Sequence, residues 1–153
     1  FVLKYEVNGQ TYWDNNAGQN YKINYAGCNL VGDNIKQILN SDTTTMYVNN
    51  GVAGLLFGSF VKNLAPSKQV SAVYTLNNWQ TSVTMPLSYN PSWVYAYSVV
   101  PSPNQVGTEY WSGYAQNVAI PAGAKVKYFY KYVVNGQTYY DNNFGRNYEF
   151  VAQ

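Results

Sequence analysis

The sequence predicts an all-β fold, an antiparallel β-sandwich, on three observations. Of its 153 residues, 18% are aromatic, with 17 Tyr among them, and only 10% are charged, a bias toward the ring-rich, half-buried surfaces of pleated sheets. Residues 126 to 134 alternate strictly, with Val126, Tyr128, Tyr130, Tyr132 and Val134 on one side and Lys127, Phe129, Lys131 and Val133 on the other, which is the period of a strand. Turn clusters at Ala65-Pro66-Ser67, Asn77-Asn78, Asn90-Pro91 and Pro101-Ser102-Pro103 divide the middle of the chain at intervals that suit a sandwich. A chain of this length supports a single core.

In chain order, residues 1–24 form a first hairpin turning at Asn8-Gly9. Asn-Gly is the strongest two-residue hairpin signal, because a type I′ turn needs positive φ at both central positions. Residues 25–50, with their Gly, Asn and Asp-Thr-Thr-Thr run, read as a connector, with room for a helical turn or two at residues 34–40. Residues 51–153 read as one complete sandwich module. Its middle strands fall near Gly54 to Lys62, Gln69 to Thr75, Val94 to Val99 and Glu109 to Ala115, and its closing hairpin turns at Asn135-Gly136.

The two hairpins are copies. KYEVNGQTYWDNNAGQNYKI at residues 4–23 and KYVVNGQTYYDNNFGRNYEF at residues 131–150 agree at fourteen of twenty positions. The first stretch therefore reads as the final hairpin of a preceding repeat. A hairpin alone is marginal in water, so residues 1–24 are expected to pack on the main sandwich or, alternatively, to pair with another molecule. The chain would then be a monomer or a strand-exchanged dimer.

Register assigns the faces. With a two-residue turn, Val133 faces Thr138, Lys131 faces Tyr140 and Phe129 faces Asn142. One face thus carries Phe129, Lys131, Tyr140 and Asn142, and the other, with Tyr128, Tyr130, Tyr132, Val134 and Tyr139, goes to the core. In the first copy the same register groups Val2, Lys4, Trp13 and Asn15. Each copy presents a ring beside a lysine and an amide, a set that suits a sugar: the pyranose C–H face stacks on the ring while Asn and Lys meet its hydroxyls. Stacking that removes roughly 100 Å² of apolar surface from water contributes about 2 to 3 kcal/mol. Two such rings barely exceed an association cost of at least about 4 kcal/mol, so a polymer of repeated sites gains most through avidity. Asp14 and Asp141, each followed by Asn-Asn, read as turn-capping residues.

Other chemistries find little support. The seven acidic residues are scattered singly, and histidine is absent, which removes the converging carboxylates of glycoside hydrolysis and the usual base for a Ser or Cys nucleophile. One cysteine and no histidine offer no transition-metal ligand set, and no Gly-rich phosphate loop is present. The reading is therefore a binding protein, not an enzyme, with no cofactor and no metal. A net charge of +2 is too small and scattered for nucleic acid or an anionic membrane. No apolar run approaches a membrane span. Phe1 begins the chain without a basic leader, as in a mature product or a piece of something longer; a polar, Asn-rich, weakly charged chain of this kind is expected to be secreted, in the extracellular space.

The run KYVVNGQTYYDNNFGRNYEF, preceded by KNLAPSKQV at residues 62–70 and VYTLNNW at residues 73–79, resembles the family 21 carbohydrate-binding modules, found in fungal glucoamylases and in glycogen-targeting subunits of protein phosphatase 1. The resemblance implies an immunoglobulin-like sandwich that binds α-1,4-glucan, as starch, glycogen or malto-oligosaccharide, on aromatic surfaces. Carried over by position, it places one site at Trp79, Phe129, Tyr140 and Asn142, with Phe129 standing where the family has tyrosine. A second family site maps to Asn63 and Lys68, but Pro66 stands where the family places its tyrosine, so that Tyr89 or Trp93 could take over. A phosphatase-docking role finds no support, because Lys125-Val126-Lys127-Tyr128-Phe129 is misspaced for it and sits in an expected strand. A secreted fungal starch-binder or lectin-like protein fits better. The alternative is a lectin for another glycan, or a structural β-domain that binds a protein partner through its exposed tyrosines.

Overall fold

The computed structural model describes residues 1–21, 33–37, 46–49, 52–95, 98–104, 107–121 and 123–151. These contain strands and no helix. In chain order the strands are β1 (Leu3–Val7), β2 (Gln10–Asp14), β3 (Ile35–Gln37), β4 (Met46–Asn49), β5 (Val52–Lys62), β6 (Lys68–Thr75) and β7 (Val83–Pro86). They continue with β8 (Ser88–Asn90), β9 (Ser92–Tyr95), β10 (Ser98–Pro101), β11 (Thr108–Ala119), β12 (Lys125–Val134), β13 (Gln137–Asp141) and β14 (Tyr148–Val151).

Two five-stranded antiparallel sheets make the sandwich. One runs β3-β5-β11-β8, with β4 also on β5, and the other runs β13-β12-β6-β7, with β14 also on β12. The alternation in β12 does what its period requires. Val126, Tyr128, Tyr130, Tyr132 and Val134 are all buried, and they join Val70, Ala72 and Tyr74 of β6 against Leu55, Phe57 and Val61 of β5 in one core. Two core tyrosines have hydroxyl partners, as burial demands: the Gly58 N–H donates to Tyr130 Oη at 3.2 Å, and Tyr132 Oη donates to the Lys62 carbonyl at 2.8 Å.

Several boundaries differ from expectation. Ile35–Gln37, placed in a possible helical turn, is a strand pairing with Ser59–Val61, and Met46–Asn49, placed in the connector, pairs with Val52–Leu55. Strands this short carry too few periods to be told from other structure by pattern. The connector's residues 25–32, 38–45 and Asn50 lie outside the described residues. The expected strand at residues 94–99 is instead two, β9 and β10, paired Val94 to Val99 as a separate ribbon.

The first hairpin reproduces the last bond for bond. Lys4 pairs with Trp13 as Lys131 pairs with Tyr140. Phe1 stacks on Tyr21 at 5.3 Å as Tyr128 stacks on Tyr148 at 5.4 Å. Tyr21 donates to Asp14 at 2.6 Å, and Tyr148 to Asp141 at 2.7 Å. Its surroundings differ. Residues 1–20 are exposed throughout, so the expected packing of this hairpin on the sandwich is not seen among the described residues; Tyr5 is 63% exposed where its counterpart Tyr132 is 0%.

Candidate functional site

The outward face of β12 and β13 carries the rings that the register assigned to it. Phe129 lies 6.0 Å from Tyr140 in an edge-to-face arrangement, and 5.5 Å from Trp79 on the other side. The three rings form a row from the β6–β7 loop across β12 to β13. Tyr140 is 57% exposed, and Trp79 and Phe129 are partly exposed. Lys131 lies opposite Tyr140 in the ladder, and Asn142 stands two positions after Tyr140, just past the end of β13. The Asn142 side-chain oxygen accepts from the Gly145 N–H at 2.9 Å, an arrangement that leaves its NH₂ as the group to meet a ligand oxygen.

Trp79 is held by residues that the sequence did not single out. Thr75 is 2% exposed; its hydroxyl donates to the Thr81 carbonyl at 2.6 Å and accepts from the Trp79 N–H at 3.0 Å and the Asn77 N–H at 3.3 Å. Asn77 closes the loop by accepting from the Thr81 N–H at 2.9 Å and donating to Thr81 Oγ1 at 2.9 Å. Asn78 and Trp79 both have positive φ, 54° and 70°, which is costly for a residue with a side chain and persists where the surroundings enforce it. Lys127, on the same face of β12 as Phe129, donates to Asn78 Oδ1 at 2.6 Å and ties the loop to the ring row. The Thr-x-Asn-x-x-x-Thr spacing was the available signal, since Thr and Asn side chains commonly bond their own turns.

On the far side of Tyr140, Asp141 is 6% exposed and accepts from Tyr148 Oη and weakly from the Asn143 N–H at 3.5 Å. The reading of Asp141 and Asp14 as turn-capping residues agrees with these bonds. Burial, followed by the bond to Asp141, pushes the Tyr148 hydroxyl far above its ordinary range. In the first copy the Tyr21 bond holds the Asp14 carboxyl below its usual value.

The other expected residues lie elsewhere. Trp13 is 61% exposed, with the Lys4 ammonium 5.7 Å from its ring centre, and the Asn15 side chain accepts from the Gly18 N–H at 3.0 Å, mirroring Asn142. Lys68 and Asn63 are tied into one cluster with Glu109. The Lys68 side chain is 3% exposed, and its ammonium bonds Glu109 at 2.8 Å and Asn63 Oδ1 at 2.5 Å. Glu109 also accepts from the Trp111 indole N–H at 2.9 Å. A charge already paired twice has less to offer a sugar than the free lysine that the sequence suggested. Of the two replacement rings, Trp93 packs edge-on against Phe60 at 4.9 Å, whereas Tyr89 is 41% exposed, with its hydroxyl bonded to the Ser102 carbonyl. Among the described residues no cluster of His, Cys, Asp and Glu could hold a metal ion.

The family model for the carbohydrate/starch-binding module (family 21) matches residues 40–151. The starch-binding domain of Rhizopus oryzae glucoamylase, solved in complex with β-cyclodextrin and maltoheptaose, aligns at 25% identity with a TM-score of 0.54, over 82% of this chain and 98% of its own. The carbohydrate-binding module of the muscle glycogen-targeting subunit of protein phosphatase 1 aligns at 26% identity with a TM-score of 0.50, over 70% of each chain. No curated protein matches the chain in sequence.

Proposed function

The chain belongs to the family 21 carbohydrate/starch-binding modules, and from that premise we propose that it binds α-1,4-glucan, without catalysis, on the row formed by Trp79, Phe129 and Tyr140. The observation that carries this reading is the spacing of the row, 5.5 and 6.0 Å between successive ring centres. Stacked pyranose faces cover the rings, Asn142 donates to a ring or hydroxyl oxygen, and Lys131 donates to hydroxyls at the Tyr140 end. Trp79 arrives already ordered by Thr75 and Lys127, so binding spends little on fixing its loop. Trp13, with Lys4 and Asn15, repeats the ring, ammonium and amide of the Tyr140 region on an exposed hairpin, and we assign it as a second, weaker platform. Two weak platforms on one chain favour an insoluble polymer over a free oligosaccharide, as suits a secreted starch-binder.

Retention on insoluble starch tests the reading, using the intact chain, Trp79→Ala and Trp13→Ala, each checked for folding by far-UV circular dichroism. Retention by the intact chain that maltoheptaose abolishes, with a large loss in Trp79→Ala and a partial loss in Trp13→Ala, is the expected result. No retention by the folded intact chain overturns it.

A further inference from the structure

The first hairpin exposes the face that its twin buries. Leu3, Tyr5 and Val7 alternate on one side of β1, and Tyr12 joins them across the ladder from Tyr5. Their counterparts Tyr130, Tyr132 and Val134 lie in the core, and Tyr139 packs against it. In the first hairpin Leu3, Tyr5, Val7 and Tyr12 are 50, 63, 37 and 51% exposed, and Phe1, in the place of the buried Tyr128, is 46% exposed. The face holds its shape with no layer on it among the described residues. Tyr5 meets Tyr12 at 6.1 Å, Tyr12 Oη donates to Gln10 Oε1 at 2.8 Å, and Phe1 stacks on Tyr21. Rings of this kind bring up to about 250 Å² each, so three that are half exposed leave, with Leu3 and Val7, about 500 Å² of apolar surface, the size of patch that marks an interaction site.

We propose that this face is the interface of a two-fold dimer, in which the β1–β2 hairpins of two copies of this chain pack face to face. The twin displays what such a face mates with: a layer of rings and aliphatic side chains, with Phe57 meeting Tyr128 edge-on at 5.6 Å and Leu55 and Val61 in the same core. That layer is already closed by β12 and β13, so a second copy has no open sandwich to offer. It does offer an identical uncovered hairpin. Charge permits the self-pairing. Lys4 and Glu6 lie on the other side of β1, bridged at 2.6 Å, and the one charged side chain on the apolar side, Asp14, is engaged by Tyr21 Oη, so two identical faces meet without like charges opposed. The Tyr5–Tyr12 pair is the middle pair of the ladder, which sets these rings at the two-fold axis of an isologous contact. Burying the face on both copies removes about 1,000 Å², the lower bound of a specific interface, and gives a reversible dimer of micromolar or weaker affinity. No strand leaves its own chain. Trp13, Lys4 and Asn15 stay on the outer side of each hairpin, so pairing doubles the number of platforms a glucan can meet, while the interface itself does not depend on the glucan reading.

Sedimentation velocity without sugar tests this, over about 1 to 500 μM, the range of weak association. The proteins are the intact chain, Tyr5→Lys, Tyr5→Glu and Thr11→Lys, each checked by far-UV circular dichroism. Both Tyr5 variants set like charges against each other at the axis, whereas Thr11, opposite Glu6 in the ladder, carries its new charge on the other side. The intact chain and Thr11→Lys are expected to dimerise within about twofold of each other, and each Tyr5 variant alone at least about tenfold more weakly. An equimolar mixture of Tyr5→Lys and Tyr5→Glu is expected to recover the dimer, because the two charges then attract across the axis. An intact chain that stays monomeric throughout overturns the proposal. So does equal weakening by Thr11→Lys, which would make the loss one of general charge repulsion. A mixture that stays monomeric while the intact chain dimerises also overturns it, since the hairpin would then meet some other surface of the second copy. Starch retention is scored separately, so either reading can fall while the other stands.

Discussion

Replacing Thr75 with valine keeps the shape of the side chain and removes the oxygen that orders the Trp79 loop. That oxygen makes three hydrogen bonds, to the Thr81 carbonyl at 2.6 Å and to the N–H groups of Trp79 and Asn77 at 3.0 and 3.3 Å. Each intramolecular bond contributes about 0.5 to 1.5 kcal/mol net. The 3.3 Å bond falls at the low end, so the loop loses about 2 kcal/mol in all. Trp79 and Asn78 hold positive φ that this bonding helps to enforce, and a loop released by that much spends more of its time in other conformations. The apparent affinity falls in proportion to the competent fraction, up to about thirtyfold for about 2 kcal/mol. Titration with maltoheptaose measures it, with Thr75→Ser as the control that keeps the oxygen. Thr75→Val binding as tightly as the intact chain, while showing the expected loss of stability in urea, would refute the claim that the loop preorganises Trp79.

The buried Lys68–Glu109 pair gives a second test: Lys68→Met strands the carboxylate and should cost about 3 to 5 kcal/mol in urea unfolding, yet the folded variant should still bind starch, and starch binding lost without any loss of stability would return Lys68 to the ligand site. Alkali should unfold the protein early. Burial raises the hydroxyls of Tyr74, Tyr132 and Tyr148, so the fold favours their neutral forms; that stabilisation is complete below the unfolded tyrosine value of about 10 and is lost as pH climbs from there toward the folded values. Urea midpoints should therefore fall above about pH 10, less steeply in Tyr148→Phe, and midpoints that hold to about pH 12 would contradict this.

The parts of the fold legible in the sequence are those governed by short-range rules. Period two in residues 126–134, together with Asn135-Gly136, fixes β12, β13 and their register, and so the shared face of Phe129, Lys131 and Tyr140. The position of Trp79 came from resemblance, and its support from Thr75 was missed because local bonding competes with many other uses of Thr and Asn. The pairing of Lys68 was hidden from the sequence for a different reason. Its partner Glu109 is 41 positions away, and no local pattern distinguishes a lysine that folds inward from one that reaches solvent. β3 and β4 are three and four residues long, too short for periodicity to register.

The segment at residues 1–21 keeps its turn, its stacked Phe1 and Tyr21 and its Asp14 bond while residues 1–20 are exposed, through interactions spanning at most twenty positions. Its twin at residues 128–148 makes the same set, so that unit's shape depends on neighbours along the chain and not on the layer it covers. Contacts this local close within about 1 to 10 μs, whereas pairing Ser59 with Trp111 in the opposite sheet requires distant parts of the chain to find each other and is slower. On this ordering the twin's turn and rings assemble ahead of the hydrophobic interior and offer the remaining strands a template. Phe129 and Tyr140 would thus be in register before the protein is folded, and substitutions in β13 should slow refolding more than they hasten unfolding.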